Sequence, residues 1–216
     1  MMLTQRIAAR CVTASPGCIV LLPGAQQQLA DFIHSGFDAA MHERRAGLDL
    51  ILAAPQLAHL TDRSWLAALH EQVVGPARQT GGALWIGGIS LGAFMALRYA
   101  AEHPEQIDGL CLIAPYLGSR IVAAEIARHE PLQSWQPGVL AEDDDERRIW
   151  RYVQSLRAPK PRVFLGFGNG DRFADNQRLL ARALPSASSQ QIAGGHDWPS
   201  WRQLWDNFLD RHLSEP

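Results

Sequence analysis

Apolar residues in this chain gather on successive positions, in short runs at 18–22, 48–53, 83–87, 109–114 and 163–167, with a more polar run at 188–192. A strand wetted on one face alternates apolar with polar side chains, whereas a strand covered on both faces does not need to. Helical signals fill the intervals. They cover 37–45, 64–78, 91–101 and part of a helix at 179–184, and the second opens with the N-cap-like Thr61-Asp62-Arg63-Ser64. A last helix starts at Pro199 and carries Trp201, Leu204, Trp205, Phe208 and Leu209 at spacings of three and four, the face of a core helix. The alternation predicts an α/β fold with a mostly parallel central sheet and helices on both faces. Residues 7–13 predict a further edge strand. With 216 residues, 47% of them hydrophobic, one sizeable core is expected, and so a single domain over 1–216.

One stretch breaks this rhythm. Residues 118–158 separate two predicted strands and hold two helical pieces, 119–129 and 142–156, divided by Pro131 and Pro137-Gly138. Such a segment forms either a small helical cap over the strand ends or an ordinary crossover helix after a long loop.

Where the run at 83–87 gives way to a helix, the chain reads Gly88-Ile89-Ser90-Leu91-Gly92. A serine on a sharp strand-to-helix turn sits in a strained backbone, and side chains at the flanking glycines would crowd it. Gly-x-Ser-x-Gly is the nucleophile elbow. A serine hydroxyl is a poor nucleophile at neutral pH, so Ser90 requires a base within hydrogen-bond reach and a carboxylate to orient that base.

Both follow in the chain. Asp171, in Gly168-Asn169-Gly170-Asp171-Arg172, comes just after the run at 163–167, at the strand edge that displays Ser90. Asp175 falls a helical turn further on, Asp143 to Asp145 lie at a helix start, and Asp108 precedes its strand at the opposite edge. His196, in Gly194-Gly195-His196-Asp197-Trp198, occupies a glycine-rich loop between the last strand and the last helix. His212, the only other histidine after Asp171, sits near the end of that helix.

Acyl transfer also needs donors for the developing oxyanion. The backbone N–H of Leu91, directly after the nucleophile, is one. The turn Leu22-Pro23-Gly24-Ala25-Gln26 fits the place of the second, assigned by position to Ala25. Gln26, Tyr116, Leu117 and Trp198 follow strand ends at the same edge and are candidates to line a pocket.

These motifs, in this order, resemble the α/β-hydrolase superfamily from residue 18 onward. The ending Gly-Gly-His-Asp-Trp with the downstream Trp201 is similar to that of small bacterial serine esterases of the esterase-D and enterochelin-esterase type. The chain departs from the family in carrying Pro23-Gly24 where His-Gly is frequent, and its length leaves room for few of the family's first antiparallel strands. The resemblance and the residue logic together imply a serine hydrolase that cleaves a carboxylic ester or thioester of a small molecule through an acyl-enzyme, with no cofactor and no metal. A non-catalytic small-molecule-binding protein on the same fold and an acyltransferase using the same triad are the other readings.

Composition narrows the partners. Twenty basic against 22 acidic residues give no electrostatic case for nucleic acid or an anionic membrane surface. Cys11, Cys18 and Cys111 are odd in number, widely spaced and set in apolar runs, as expected of small core residues in a reducing compartment. With no membrane-length or signal-like apolar run, residence in the cytoplasm is expected. The acidic run Glu142 to Glu146 suits the positive end of a helix dipole better than a metal site, because Arg147 and Arg148 follow at once.

Overall fold

The computed structural model describes residues 1–9, 17–44, 47–157, 161–184 and 189–212. Among them one seven-stranded sheet contains β1 (Leu3–Ile7), β2 (Gly17–Leu22), β3 (Leu48–Ala54), β4 (Leu84–Ile89), β5 (Gly109–Ile113), β6 (Arg162–Gly168) and β7 (Ser189–Ile192), in the order β1-β3-β2-β4-β5-β6-β7. β1 runs antiparallel to β3, and every other neighbouring pair is parallel. The helices are α1 (Leu29–His34), α2 (Phe37–Glu43), α3 (Leu57–Thr61), α4 (Trp65–Leu69), α5 (Gly75–Arg78), α6 (Leu91–Glu102), α7 (Arg120–Ala127), α8 (Asp145–Ser155), α9 (Ala174–Ala183) and α10 (Trp198–His212).

The successive apolar residues of β2 show why both faces are covered. Ile19 and Leu21 point into a core built with Phe32 of α1, Phe37 of α2, and Trp205 and Phe208 of α10. Val20 and Leu22 point into the opposite core, with Val73, Leu97, Tyr99, Trp150 and Leu180 from the helices that follow β3, β4, β5 and β6. Trp205 Nε1 donates to the Phe37 carbonyl at 2.9 Å while the two rings stack. Each such buried side chain stabilises the fold by about 1.5–3 kcal/mol.

The edge strand lies earlier than the sequence suggested. Leu3 pairs with Ala54 and Ile7 with Leu50, so the expected strand at 7–13 is met only at its first residue, and its residues 10–13 lie outside the described ones. The reason is that β1 is mostly exposed and carries no apolar run; pairing with β3 defines it. An ion pair anchors it, because Asp49, buried inside β3, accepts from Arg6 and, at 2.8 Å, from the Ala9 N–H.

The expected helix over 64–78 is interrupted. A π turn at His70–Val74 joins α4 to α5, where Pro76 can donate no backbone hydrogen bond. The short helices α1 and α3 lack the apolar periodicity that would have announced them. Within 118–158, α8 lies along α6 and buries Ile149, Trp150, Tyr152 and Val153, whereas α7 packs against α9. No helix among the described residues is long and apolar enough to cross a membrane. The parallel strands all present their carboxyl ends at one edge of the sheet, and the loops that leave this edge form the site.

Candidate active site

Ser90 stands between β4 and α6 with φ 54° and ψ −112°, a conformation that side chains rarely adopt. Strain of this kind costs about 1–3 kcal/mol. Three backbone hydrogen bonds hold it: Ser90 N–H donates to Ile113 O at 3.0 Å, and Ser90 O accepts from Phe94 and Tyr116 at 3.2 and 3.1 Å. At roughly 1 kcal/mol net for each bond, they are sufficient to offset the strain. The flanking glycines are required by close approach, though against a different neighbour from the one expected. A Cβ on Gly88 would stand 2.4 Å from the Leu22 carbonyl oxygen, and one on Gly92 only 2.0 Å from it. The glycines let the turn nest against the end of β2.

Asp171 follows β6 and His196 follows β7, and the two loops are knitted together. Asn169 N–H donates to Ile192 O at 2.8 Å and Gly170 N–H to Gly194 O at 2.9 Å. Gly194 has φ 143°, and a Cβ there would meet Ser200 Oγ at 2.3 Å, so only glycine fits. Beyond the imidazole, Asp197 accepts from the Ser200 N–H at 2.9 Å and Ser200 Oγ from the Gly195 N–H at 3.1 Å, which fixes the loop to the start of α10.

Ser90, His196 and Asp171 form one hydrogen-bonded chain. Ser90 Oγ is 3.0 Å from His196 Nε2, and His196 Nδ1 is 2.7 Å from Asp171 Oδ2. The Asp171 side chain is 0% exposed and that of His196 10%. Burial pushes the Asp171 carboxyl up, but the hydrogen bonds from His196 and from the Phe173 N–H, with lesser help from the imidazole charge and Gln177, outweigh it and hold the group below the usual aspartate value. An ionised carboxylate accepts from Nδ1–H, which leaves the lone pair of Nε2 facing the hydroxyl.

The rival residues are occupied elsewhere. The Asp175 side chain is 97% exposed and paired with Arg178. Asp144 caps α8, and Asp145 pairs with the buried Arg98. Asp108 bonds Arg78 and the Leu84 N–H at the opposite sheet edge. His212 packs on Trp85 and Phe164, where burial pushes its imidazole down to about 4.

Leu91 is the first residue of α6, so its N–H belongs to the helix-end donors that have no intrahelical acceptor. The turn 23–26 lies beside the elbow, with Pro23 O 2.7 Å from where a Gly92 Cβ would be. Ala25 is exposed on that turn, and Gly24 N–H donates to Gln27 Oε1 at 2.7 Å to hold its shape.

Of the four candidate pocket residues, Leu117 is buried and Trp198 partly buried. Leu117 is only 1% exposed, packed in the core with Trp150, and its carbonyl accepts from Trp150 Nε1 at 3.3 Å. Trp198 packs on Phe32, Phe37 and Trp201 at the margin of the core that α10 shares with α1 and α2. Sequence reasoning missed Phe173 and the contact made by Trp201, whose rings meet the His196 imidazole edge to face at 5.2 and 5.0 Å. The position of Phe173, two residues after Asp171, was the available signal. A cleft of about 580 Å³, lined by Asp62, Arg63, Trp65, Arg98 and Asp145 among others, contains none of the three linked residues.

No protein-family model matches the chain, and no curated protein matches it in sequence. Solved structures do match in three dimensions. Est1E from Butyrivibrio proteoclasticus superposes with a TM-score of 0.68 at 14% identity, over 99% of this chain and 95% of its own. The chain has the α/β-hydrolase fold. A monoacylglycerol lipase from Paleococcus ferrophilus gives 0.60 at 16% identity over 99% of this chain and 98% of its own. The S-formylglutathione hydrolase FrmB of Staphylococcus aureus gives 0.59 at 12% over 96% and 91%.

Proposed function

We propose that this α/β-hydrolase-fold chain is a serine hydrolase that cleaves a carboxylic ester or thioester of a small molecule through an acyl-enzyme. The observation that carries the reading is the unbroken hydrogen-bonded chain from Ser90 Oγ through His196 to the buried Asp171 carboxylate. The superposed structures include an S-formylglutathione hydrolase and a lipase, which supports the same class of chemistry.

His196 Nε2 takes the proton of Ser90 as Oγ bonds to the carbonyl carbon. The oxyanion forms between the Leu91 and Ala25 N–H groups, each such donor being worth about 3 kcal/mol in the transition state. Collapse breaks the bond to the leaving group, which receives the proton from His196. Water, deprotonated by the same imidazole, then releases the acid. Asp171 keeps Nδ1 protonated and stabilises the cationic ring. The sheet and its two cores act as one domain, in which 118–158 serves as the crossover from β5 to β6.

Hydrolysis of p-nitrophenyl esters by wild type and Ser90→Ala tests this reading. Loss of most turnover in the variant, with the melting temperature nearly unchanged, supports it; retained turnover removes Ser90 from its role. Free-acid release that drops when an alcohol or amine is added would redirect the assignment to acyl transfer.

A further inference from the structure

Three aromatic side chains form a run of ring contacts that ends on the His196 imidazole. The Tyr116 ring lies 5.7 Å from that of Phe94, tilted by 44°, and 5.6 Å from that of Phe173, at 72°. The backbone of each is tied to the linked residues: Phe94 and Tyr116 donate to Ser90 O, and Phe173 N–H donates to Asp171 Oδ1 at 2.8 Å. All three rings are partly exposed.

Sheet order and proton transfer together indicate which part of a substrate meets these rings. The turn 23–26 follows β2, on one side of β4, whereas Tyr116 and Phe173 follow β5 and β6 on the other. A carbonyl oxygen held by Leu91 and Ala25 therefore points away from the rings. The departing oxygen must approach His196 Nε2 to take its proton, and Phe173 rests against that imidazole. The rings flank the leaving group.

Phe173 itself is occupied, with the Arg172 guanidinium 4.9 Å over its ring and Tyr116 and His196 also against it. Phe94 and Tyr116 are each partly exposed beside it. With the two rings at 44° to each other, a flat ring docked beside them would stack on one and meet the other edge-on, the two arrangements that aromatic pairs favour. Tyr116 is preset for this contact. Its hydroxyl stands 3.5 Å from Glu146 Oε1, and Glu146 Oε2 accepts from Ser119 Oγ at 2.7 Å, so little side-chain freedom is lost on binding.

We propose that Phe94 and Tyr116 form a leaving-group subsite that selects aryl or arylmethyl alcohols over saturated alcohols of the same size. The proposal rests on the serine-hydrolase reading. In the step concerned, the acyl carbon–oxygen bond of the ester breaks, the acyl group stays on Ser90 Oγ, and the alcohol oxygen leaves with the proton that His196 took from Ser90.

Benzyl acetate and cyclohexylmethyl acetate share the acyl group and the size of the alcohol, and differ in the planarity of its ring. The expected kcat/KM is about 3- to 10-fold higher for the benzyl ester, the preference an aromatic contact gives. The ratio should fall to about one in Phe94→Leu and in Tyr116→Leu and persist in Tyr116→Phe, as expected of a contact with the ring and not of a general change in the fold. Equal kcat/KM values in wild type, or a preference that survives both leucine variants, overturn the subsite while fluorophosphonate labelling of Ser90 leaves the hydrolase reading standing. No hydrolysis of either ester together with an unlabelled Ser90 overturns both.

Discussion

Asp171 and His196 meet at 2.7 Å across 25 residues of sequence, and the carboxylate side of this contact is sealed from solvent. Each comes from a loop at the carboxyl edge of its own strand, and bonds between the two loops fix their spacing. A buried carboxylate that accepts from the ring and from a backbone N–H stays ionised, and therefore dictates which imidazole nitrogen faces Ser90.

Asp171→Asn should reduce kcat/KM for p-nitrophenyl acetate about a thousandfold or more, because an amide that donates to Nδ1 reverses the tautomer. A loss of only a fewfold would assign the orienting role to another group.

The same carboxylate links stability to pH. Its value in the folded chain lies below the unfolded one, so its contribution is present above the ordinary aspartate range and is lost as pH falls through the folded value. The melting temperature of wild type, measured relative to Asp171→Asn, should fall as the pH drops below about 4, the ordinary aspartate value. A difference that stays constant or moves the other way contradicts the assignment.

Strain at Ser90 is measurable without any substrate. Glycine tolerates φ 54° and ψ −112° where alanine does not, so Ser90→Gly should be more stable than Ser90→Ala by about 1–2 kcal/mol in urea unfolding. Equal midpoints would mean that the elbow is relaxed.

Gly92→Ala tests the close approach of the elbow to β2. A methyl group placed 2.0 Å from a backbone carbonyl oxygen cannot be absorbed by a rotamer change, and the cost should be about 2–4 kcal/mol, with loss of ester turnover. A variant with wild-type stability and activity would show that α6 and β2 stand further apart.

The parts of this fold legible in the sequence are those whose signal is local. Five of the six predicted parallel strands are apolar on successive residues because both faces are covered, and Gly88, Ser90 and Gly92 mark a turn that tolerates little else. Asp171 and His196 could be placed because chain order put each just past a strand. What escaped depends on tertiary pairing: β1 is polar and exists through its ladder with β3, and the π turn at His70–Val74 forms where helix and Pro76 conflict. The side chains around the imidazole escaped for the same reason. Phe173 and Trp201 read as ordinary apolar residues until the folded chain brings them against His196.

Intact-mass analysis after exposure to a fluorophosphonate addresses the nucleophile directly. The account predicts a single adduct on the folded wild-type chain, mapped to the peptide containing Ser90, and none on Ser90→Ala. A folded wild-type chain that stays unmodified, or an adduct that persists in the variant, would contradict it.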